Sequence, residues 1–356
     1  MVRKGEGQVL SKAGPVILLT GNTGYIGTVM TKFLRRESYY VVGLDGNWFR
    51  ENLFFPVPEI SKPNKQIIKD IRRLDKDDLK GVDAVVHLAA LSNDPLGEID
   101  LNLTDEINYR STIRIAEICR EIGVKRFVFA SSCSIYGKSK SDVPVNEEGR
   151  LSPMTAYAKA KVNAEYGLAQ LADRDFHPVF LRNATVYGVS PKMRLDLVVN
   201  NLLAWAYLTG EIRIMSDGTP WRPIIHIEDI CNAFLATLKA PVEKVHCQAF
   251  NVGIKGENYR VKDIAFEIQK ALPESKVKIL NETGSDERSY KVDFSRFKNT
   301  LAGFRPKWNL KKGIEELLDA YKKYNLTFDD FKSDKYFRIR TVTSLLDSGK
   351  MNKNLF

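Results

Sequence analysis

Tyr157 and Lys161 stand four residues apart in the run Tyr157-Ala158-Lys159-Ala160-Lys161. A helix at this position carries both side chains on one face. A free tyrosine ionises near pH ~10, and a neighbouring ammonium favours the phenolate. That combination moves Tyr157 toward use as a general base at neutral pH. Ser132 lies 25 residues before Tyr157, in Ser131-Ser132-Cys133-Ser134-Ile135-Tyr136-Gly137. Its hydroxyl is placed to bind the same substrate oxygen that the tyrosine deprotonates. The set suits proton transfer at an alcohol or ketone, provided a hydride carrier sits beside it.

A second run supplies the place for that carrier. Val16 to Thr20 (VILLT) leads into Gly21-Asn22-Thr23-Gly24-Tyr25-Ile26-Gly27 and then into a helical stretch, Thr23 to Arg36. Glycines at this spacing allow a tight turn and close backbone approach to a diphosphate. The helix start adds free N–H groups and the positive end of its dipole. Asp45, at the end of the next strand, is positioned to accept hydrogen bonds from ribose hydroxyls and to repel a 2′-phosphate, so NAD is expected rather than NADP. Arg50, close by, keeps NADP open.

These residues need a sheet to hold them. Apolar runs at Val16–Thr20, Tyr39–Leu44, Gln66–Lys69, Ala84–Leu88, Arg126–Ala130 and Val179–Leu181 alternate with helical stretches, including Leu101–Ile122 and one from about Ala156. Strands apolar on both faces, separated by helices, predict an α/β fold of Rossmann type: a doubly wound parallel sheet. Ligands of such sheets lie at the carboxyl ends of the strands. Asp70 and Ile71 follow the third strand there, and the small Ala89 and Ala90 follow the fourth. After Arg182 the pattern loosens. Helices predicted at Leu195–Thr209, Ile230–Leu238, Val261–Ala271 and Ile314–Tyr324 are separated by short strands and turns. We expect a leader over 1–14, an NAD-binding domain over 15–182 to which some later segments return, a smaller mixed α/β substrate-binding domain over 183–327, and a C-terminal extension over 328–356.

The chain has 356 residues and a formal net charge of +10. Basic residues are interleaved with acids throughout, which argues against nucleic acid; the balance suits an anionic small molecule. The densest basic stretch, with Lys332, Lys335, Arg338, Arg340, Lys350 and Lys353, reads as a solvated tail. Tyr336, Phe337, Ile339, Val342, Leu345 and Leu346 in the same stretch predict that it packs on something. The four cysteines and four histidines are scattered without metal-ligand spacing, so no metal is expected and the thiols are expected to be reduced. No apolar run is long enough to span a membrane, and the polar start has no signal-peptide core. A cytoplasmic protein is the expectation.

Taken together, GNTGYIG, HLAA, SSCSIYG and YAKAK resemble the extended short-chain dehydrogenase/reductase family, the group of NAD-dependent nucleotide-sugar epimerases and dehydratases. The resemblance runs from about Gly14 to Tyr324. It implies that Gly21, Gly24, Tyr25, Ile26, Gly27, Asp45, Asp70, Ile71, Ala89 and Lys161 contact NAD, that Tyr157 and Lys161 lie against its nicotinamide end, and that Asn108 braces the active site from behind. It also implies a nucleotide-diphosphate sugar as substrate, touched by Asn183 in Arg182-Asn183-Ala184-Thr185-Val186-Tyr187-Gly188 and by Asn200, Arg222 and Arg288. Arginine suits this task because its planar fork binds phosphate bidentately. Leu91 to Pro95 is expected to line the sugar site. A homodimer through the helices Leu101–Ile122 and Tyr157–Ala172 is implied as well; an apolar stripe there would equally serve an intramolecular core.

Dehydratases of this family carry Thr-Asp-Glu where this chain has Ser132-Cys133-Ser134, so dehydration lacks its acids here. Two reactions remain: 4-epimerisation with retained NAD, and one-way reduction of a 4-keto sugar with exchanged NAD(P)H. Epimerisation is the preferred reading, and a non-catalytic NAD-binding protein is a third. Cys133 is either a packing residue or an extra acid/base group.

Overall fold

The computed structural model describes residues 14–92, 94–139, 143–282 and 288–355; most of the leader and Asn93 lie outside them. Seven strands form one parallel sheet: β1 (Val16–Thr20), β2 (Tyr40–Asp45), β3 (Lys65–Ile68), β4 (Ala84–His87), β5 (Arg126–Ser132), β6 (His177–Asn183) and an edge strand from late in the chain. The spatial order from the far edge is β3-β2-β1-β4-β5-β6, then the late strand. The order reverses between β1 and β4, and a ligand crevice opens at such a reversal.

The sheet is covered because its side chains alternate. Ile17 and Leu19 of β1, Val41 of β2, Val86 of β4 and Val128 of β5 point to one face, with Val29, Met30 and Leu34 of helix Tyr25–Arg36 and Phe234 of helix Ile227–Lys239. Leu18, Val42, Val85, Phe127 and Phe129 point to the other, with Ile115 and Cys119 of helix Ser111–Glu121 and Leu168 of helix Ala156–Leu171. Period-two alternation of apolar residues on both faces is what a doubly covered sheet requires.

The remaining strands are β7 (Thr185–Tyr187), β8 (Glu211–Ile214), β9 (Trp221–His226), β10 (Gln248–Val252), β11 (Asn258–Arg260) and β12 (Lys276–Ile279). β10 is the late edge strand, parallel to β6. β7, β9 and β11 make a small sheet, and β8 pairs with β12. Among the described residues no helix is long and apolar enough to cross a membrane.

Three local readings change. The helical stretch from Leu101 is not one helix: a π-helical turn, Glu106–Arg110, interrupts it and carries Asn108 inward. The helix expected from Leu195 starts at Val198, because Asp196 is engaged by Arg194 and Leu195 N–H donates to the Tyr336 carbonyl at 2.9 Å. The C-terminal stretch is no solvated tail at Arg338, which is 2% exposed. Tyr336, Phe337 and Val342 are buried with it, and Val342, Met351 and Leu355 join the core on the Leu18 face of the sheet. This stretch folds back onto its own chain.

Candidate active site

A cavity of about 620 Å³ runs along the carboxyl ends of β1, β2, β4, β5 and β6. At one end the chain turns from β1 into its helix. Gly21 has φ +73°, and a Cβ there would lie 2.8 Å from the Ala89 nitrogen. A Cβ on Gly27 would lie 2.0 Å from the Gly21 carbonyl oxygen. Both positions therefore require glycine. Gly24 caps the helix without a side-chain hydrogen bond, so the first N–H groups remain available to an anion. The Asp45 carboxylate accepts from Asn47 N–H at 2.6 Å and Thr23 N–H at 3.3 Å. Asp70 caps the short turn Ile71–Arg73 and pairs with Arg72 at 2.7 Å. Asp45, Asp70, Ile71, Ala89 and Ala90 all border the cavity together with the glycine loop and Tyr25 and Ile26. The Tyr25 hydroxyl points away from it, donating to the Gly188 carbonyl at 2.7 Å.

At the middle of the cavity Ser132, Tyr157 and Lys161 come together. Thr155 caps the helix of Tyr157 through Ala158 N–H at 3.2 Å, and its own hydroxyl donates to Asp94. Glu98 accepts from Ala156 N–H at 2.8 Å. The segment after β4 thus anchors the start of the catalytic helix. Asn108 in turn clamps that segment, bonding both the N–H and the carbonyl of Leu91 at 2.7 and 3.1 Å. One turn beyond Lys161, Glu165 pairs with Arg182 at 2.7 Å, with the two side chains 6% and 8% exposed, and accepts from Ser131. This pair ties the helix to β5 and β6.

Burial pushes the Tyr157 phenol up to about 12, with Asp94 adding to the effect; the Ser132 hydroxyl, Arg194 and Arg288 oppose it. Lys161 is pushed down to about 7 by burial, against the pull of Glu165. Its ammonium donates to the Ala130 carbonyl at 2.7 Å and lies 5.6 Å from the centre of the Tyr157 ring. The expected activation of Tyr157 rests on Lys161 together with the positive nicotinamide ring; in the protein by itself desolvation is the largest influence on the phenol.

At the other end, Arg288 pairs with Asp94, and Arg222 donates to the Arg288 carbonyl and to the Trp221 carbonyl at 2.9 Å. Both arginines and Asn183 border the cavity, but Asn200 does not. Asn200 is wholly buried; its amide donates to the Arg194 carbonyl at 2.9 Å and accepts from Gly188 N–H at 3.2 Å. It holds the loop behind the cavity, which corrects the expected substrate contact. Cys133 also faces away, with its Sγ donating to the Arg182 carbonyl at 3.1 Å, and burial raises its thiol far above the usual range. The acid/base alternative for Cys133 is thereby removed.

Sequence reasoning missed Arg194, Asp196, Ser134 and Arg338, all on the cavity wall; Ser92, Asp94 and Pro95, from the stretch expected to line the sugar site, stand there as well. Arg194 and Asp196 make a two-pronged pair at 2.9 Å. Ser134 sits two residues past Ser132, and that spacing was its signal; Arg338 had none, being one basic residue among many. Three buried side-chain atoms among the described residues find no hydrogen-bond partner within the protein: Ser134 Oγ, Asn183 Oδ1 and Arg338 Nη1. All three residues border this one cavity. An unmet buried polar group costs about 1–3 kcal/mol, so their convergence marks where a polar ligand belongs. The glycine cradle, the uncapped helix start and Asp45 fit a dinucleotide.

Comparison with known proteins agrees. The sequence model of the NAD dependent epimerase/dehydratase family matches residues 17–253. A UDP-glucuronate 4-epimerase of Thermodesulfobacterium geofontis is 28% identical over 328 residues, covering 85% of this chain and 94% of that protein. A UDP-glucose 4-epimerase of Bacillus subtilis is 26% identical, covering 89% and 99%. The solved structure of MoeE5 in complex with UDP-glucuronic acid and NAD is 27% identical and superposes with a TM-score of 0.75, covering 87% of this chain and 99% of that one. With its cofactor cradle and two thirds of its length inside the family match, this chain belongs to the NAD dependent epimerase/dehydratase family, enzymes of the extended short-chain dehydrogenase/reductase type that use NAD.

Proposed function

We propose that this protein is a nucleotide-sugar epimerase acting at C4, with Tyr157 as the general base. One observation carries the reading. At 132–134 the wall beside Tyr157 presents the hydroxyls of Ser132 and Ser134, with Cys133 turned inward to the core, so no carboxylate stands there to drive elimination; the nearby Asp94 carboxylate is paired with Arg288. The named 4-epimerases among its relatives support the same choice.

When bound, NAD supplies a reversible hydride acceptor and a positively charged ring next to Tyr157. Tyr157 takes the proton of the 4-hydroxyl as the oxygen becomes a carbonyl, and gives it back when the alcohol re-forms. Ser132 holds that oxygen throughout. Its hydroxyl already accepts from Ser134 N–H at 3.1 Å, which fixes its direction. Lys161 keeps one N–H on the Ala130 carbonyl and has two left for ribose hydroxyls. Asn183 Oδ1 and Ser134 Oγ offer hydrogen bonds to the sugar, and Arg222 and Arg288 face its diphosphate. Deprotonation of Tyr157 at neutral pH depends on the loaded site, since burial, with Asp94 adding to it, holds the phenol up to about 12 in the protein by itself. The same reading includes a homodimer through the helices around Leu101 and Tyr166, which are 57% and 62% exposed.

The test is direct. Purified protein is given UDP-glucuronic acid or UDP-glucose without added cofactor and followed by NMR. The expected result is conversion to the 4-epimer by protein that carries its own NAD. Turnover confined to 4-keto sugars with added NADH or NADPH would replace epimerase by ketoreductase.

A further inference from the structure

Arg338 belongs to the C-terminal extension, outside the family match at residues 17–253, yet it stands in the wall of the cofactor cavity. The extension reaches it as a strap. Tyr336 bonds to the loop after β2 (hydroxyl to Leu53 carbonyl, 3.2 Å), and its own carbonyl accepts from Leu195 N–H. Asn52 donates to the Thr341 hydroxyl at 2.8 Å and to the Lys335 carbonyl. Further on, Arg72 donates to the Leu355 carbonyl at 3.2 Å. The strap therefore crosses from the 190–196 loop to the edge of the sheet beside Asp45, passing over the cavity between these points.

The Arg338 guanidinium is held but not satisfied. It lies 4.1 Å above the Phe49 ring, and Nη2 donates to the Lys192 carbonyl at 3.2 Å. Nη1 has no partner within the protein although the residue is 2% exposed. Its charged surroundings are the cations Arg194 and Lys192, which oppose its charge, and the acids Asp45 and Asp196, which favour it. Burial and Arg194 together push its ionisation down to about 9, so the protein alone leaves this cation under-compensated. Asp45 marks the adenosine end of the cavity, and Arg194, which also acts on Tyr25 and Tyr157, marks the path toward the reacting end. Between a ribose site and a nicotinamide site, a dinucleotide carries its diphosphate.

We infer that Arg338 is a cofactor-binding residue: its Nη1 donates to the NAD diphosphate from the side opposite the glycine loop, so that the C-terminal strap clasps the cofactor in place. The inference rests on NAD occupying this cavity and not on which reaction follows, so a failure of the epimerase assay leaves it standing.

The experiment measures binding. Protein stripped of cofactor is titrated with NAD, ADP and adenosine by calorimetry, for wild type and Arg338→Met. A lost charge-assisted bond to phosphate predicts Kd at least tenfold higher for NAD and for ADP, with adenosine unchanged within about twofold. Arg338→Lys keeps the charge and should recover part of the loss. Thr341→Val loosens the strap while leaving Arg338 in place, and should bind NAD within about threefold of wild type. Equal weakening of all three ligands, or a Thr341→Val loss matching that of Arg338→Met, reduces Arg338 to a structural residue and overturns the inference. It is overturned equally if wild type prefers NADP and Arg338→Met erases that preference, which would assign the guanidinium to a 2′-phosphate.

Discussion

The two ends of the cavity are built in different ways. The glycine-loop end is local: β1, its turn and the following helix occupy residues 16–36, and the backbone itself is the binding surface. The sugar end is assembled from distant side chains. Asp94 meets Arg288 across 194 residues of sequence, and Ser92 meets Arg194 across 102. A backbone cradle depends on conformation, so what it tolerates least is a Cβ. A side-chain ring depends on charge pairing, so it responds to loss of one partner by degrees. The catalytic pair sits at the join, on a helix whose start is pinned by the Asp94 segment and whose middle is pinned by Glu165 and Arg182.

Breaking the join should have the largest effect. Tyr157→Phe removes the proton acceptor and little volume, so turnover should fall by about 10³-fold, within the usual span of general acid–base contributions. Retained NAD and melting temperature should stay near wild type. If turnover survives, the base is some other group and the proposed mechanism is wrong. Next comes the local end. Gly27→Ala drives a Cβ into the Gly21 carbonyl, backbone that has no room to move because Gly21 N–H is itself held by the Leu44 carbonyl at 2.9 Å. Overpacking of this kind costs on the order of 3 kcal/mol. A lowered melting temperature and loss of co-purified NAD should appear together. A variant that melts normally and keeps NAD would show the loop to be more pliant than its geometry implies.

The same contrast explains what could be read from sequence. The loop, Asp45 and the Tyr157–Lys161 spacing are short-range patterns, and a doubly covered parallel sheet follows from apolar runs alternating with helices, so these were legible. Asn200 was misread because an amide beside a ligand and an amide bracing the loop behind it look alike without coordinates. Arg338 was placed in solvent because a basic stretch with apolar residues gives no sign of which cation turns inward; that is decided by Phe49 and Lys192, about 290 and 146 positions away in the chain. Glu165 was overlooked although it continues the i, i+4 series of Tyr157 and Lys161, a signal that was available. The lysine's effect on the tyrosine was judged by spacing alone, and spacing says nothing about desolvation.

The side-chain end should yield by degrees. Arg288→Met removes one cation and leaves Asp94 without that partner, while Arg222 remains. The expected outcome for a UDP-sugar is KM raised roughly tenfold, with kcat within about threefold, since the lost interaction binds ground state and transition state alike. NAD content should not change, because the glycine-loop end is untouched. A fall in kcat with KM unchanged would place Arg288 in the chemical step instead.

The smallest effect is a slope. Lys161 ionises near 10.5 when exposed and at about 7 in the fold, because burial disfavours its charge. Between those values the unfolded chain holds a proton that the folded chain has released. Stability gained from this group therefore rises as pH increases from about 7 toward 10.5, and below 7 the full cost of burying the charge is present. Lys161→Met fills similar space without a charge and should lack that slope. Denaturation of cofactor-free wild type and variant at pH 7 and pH 9.5 should show the variant's advantage shrinking at the higher pH. An unchanged difference would mean that Lys161 stays protonated in the fold. In that case its ammonium is available to hold the Tyr157 phenolate even before cofactor binds, and the join between the two ends would be set by charge rather than by burial.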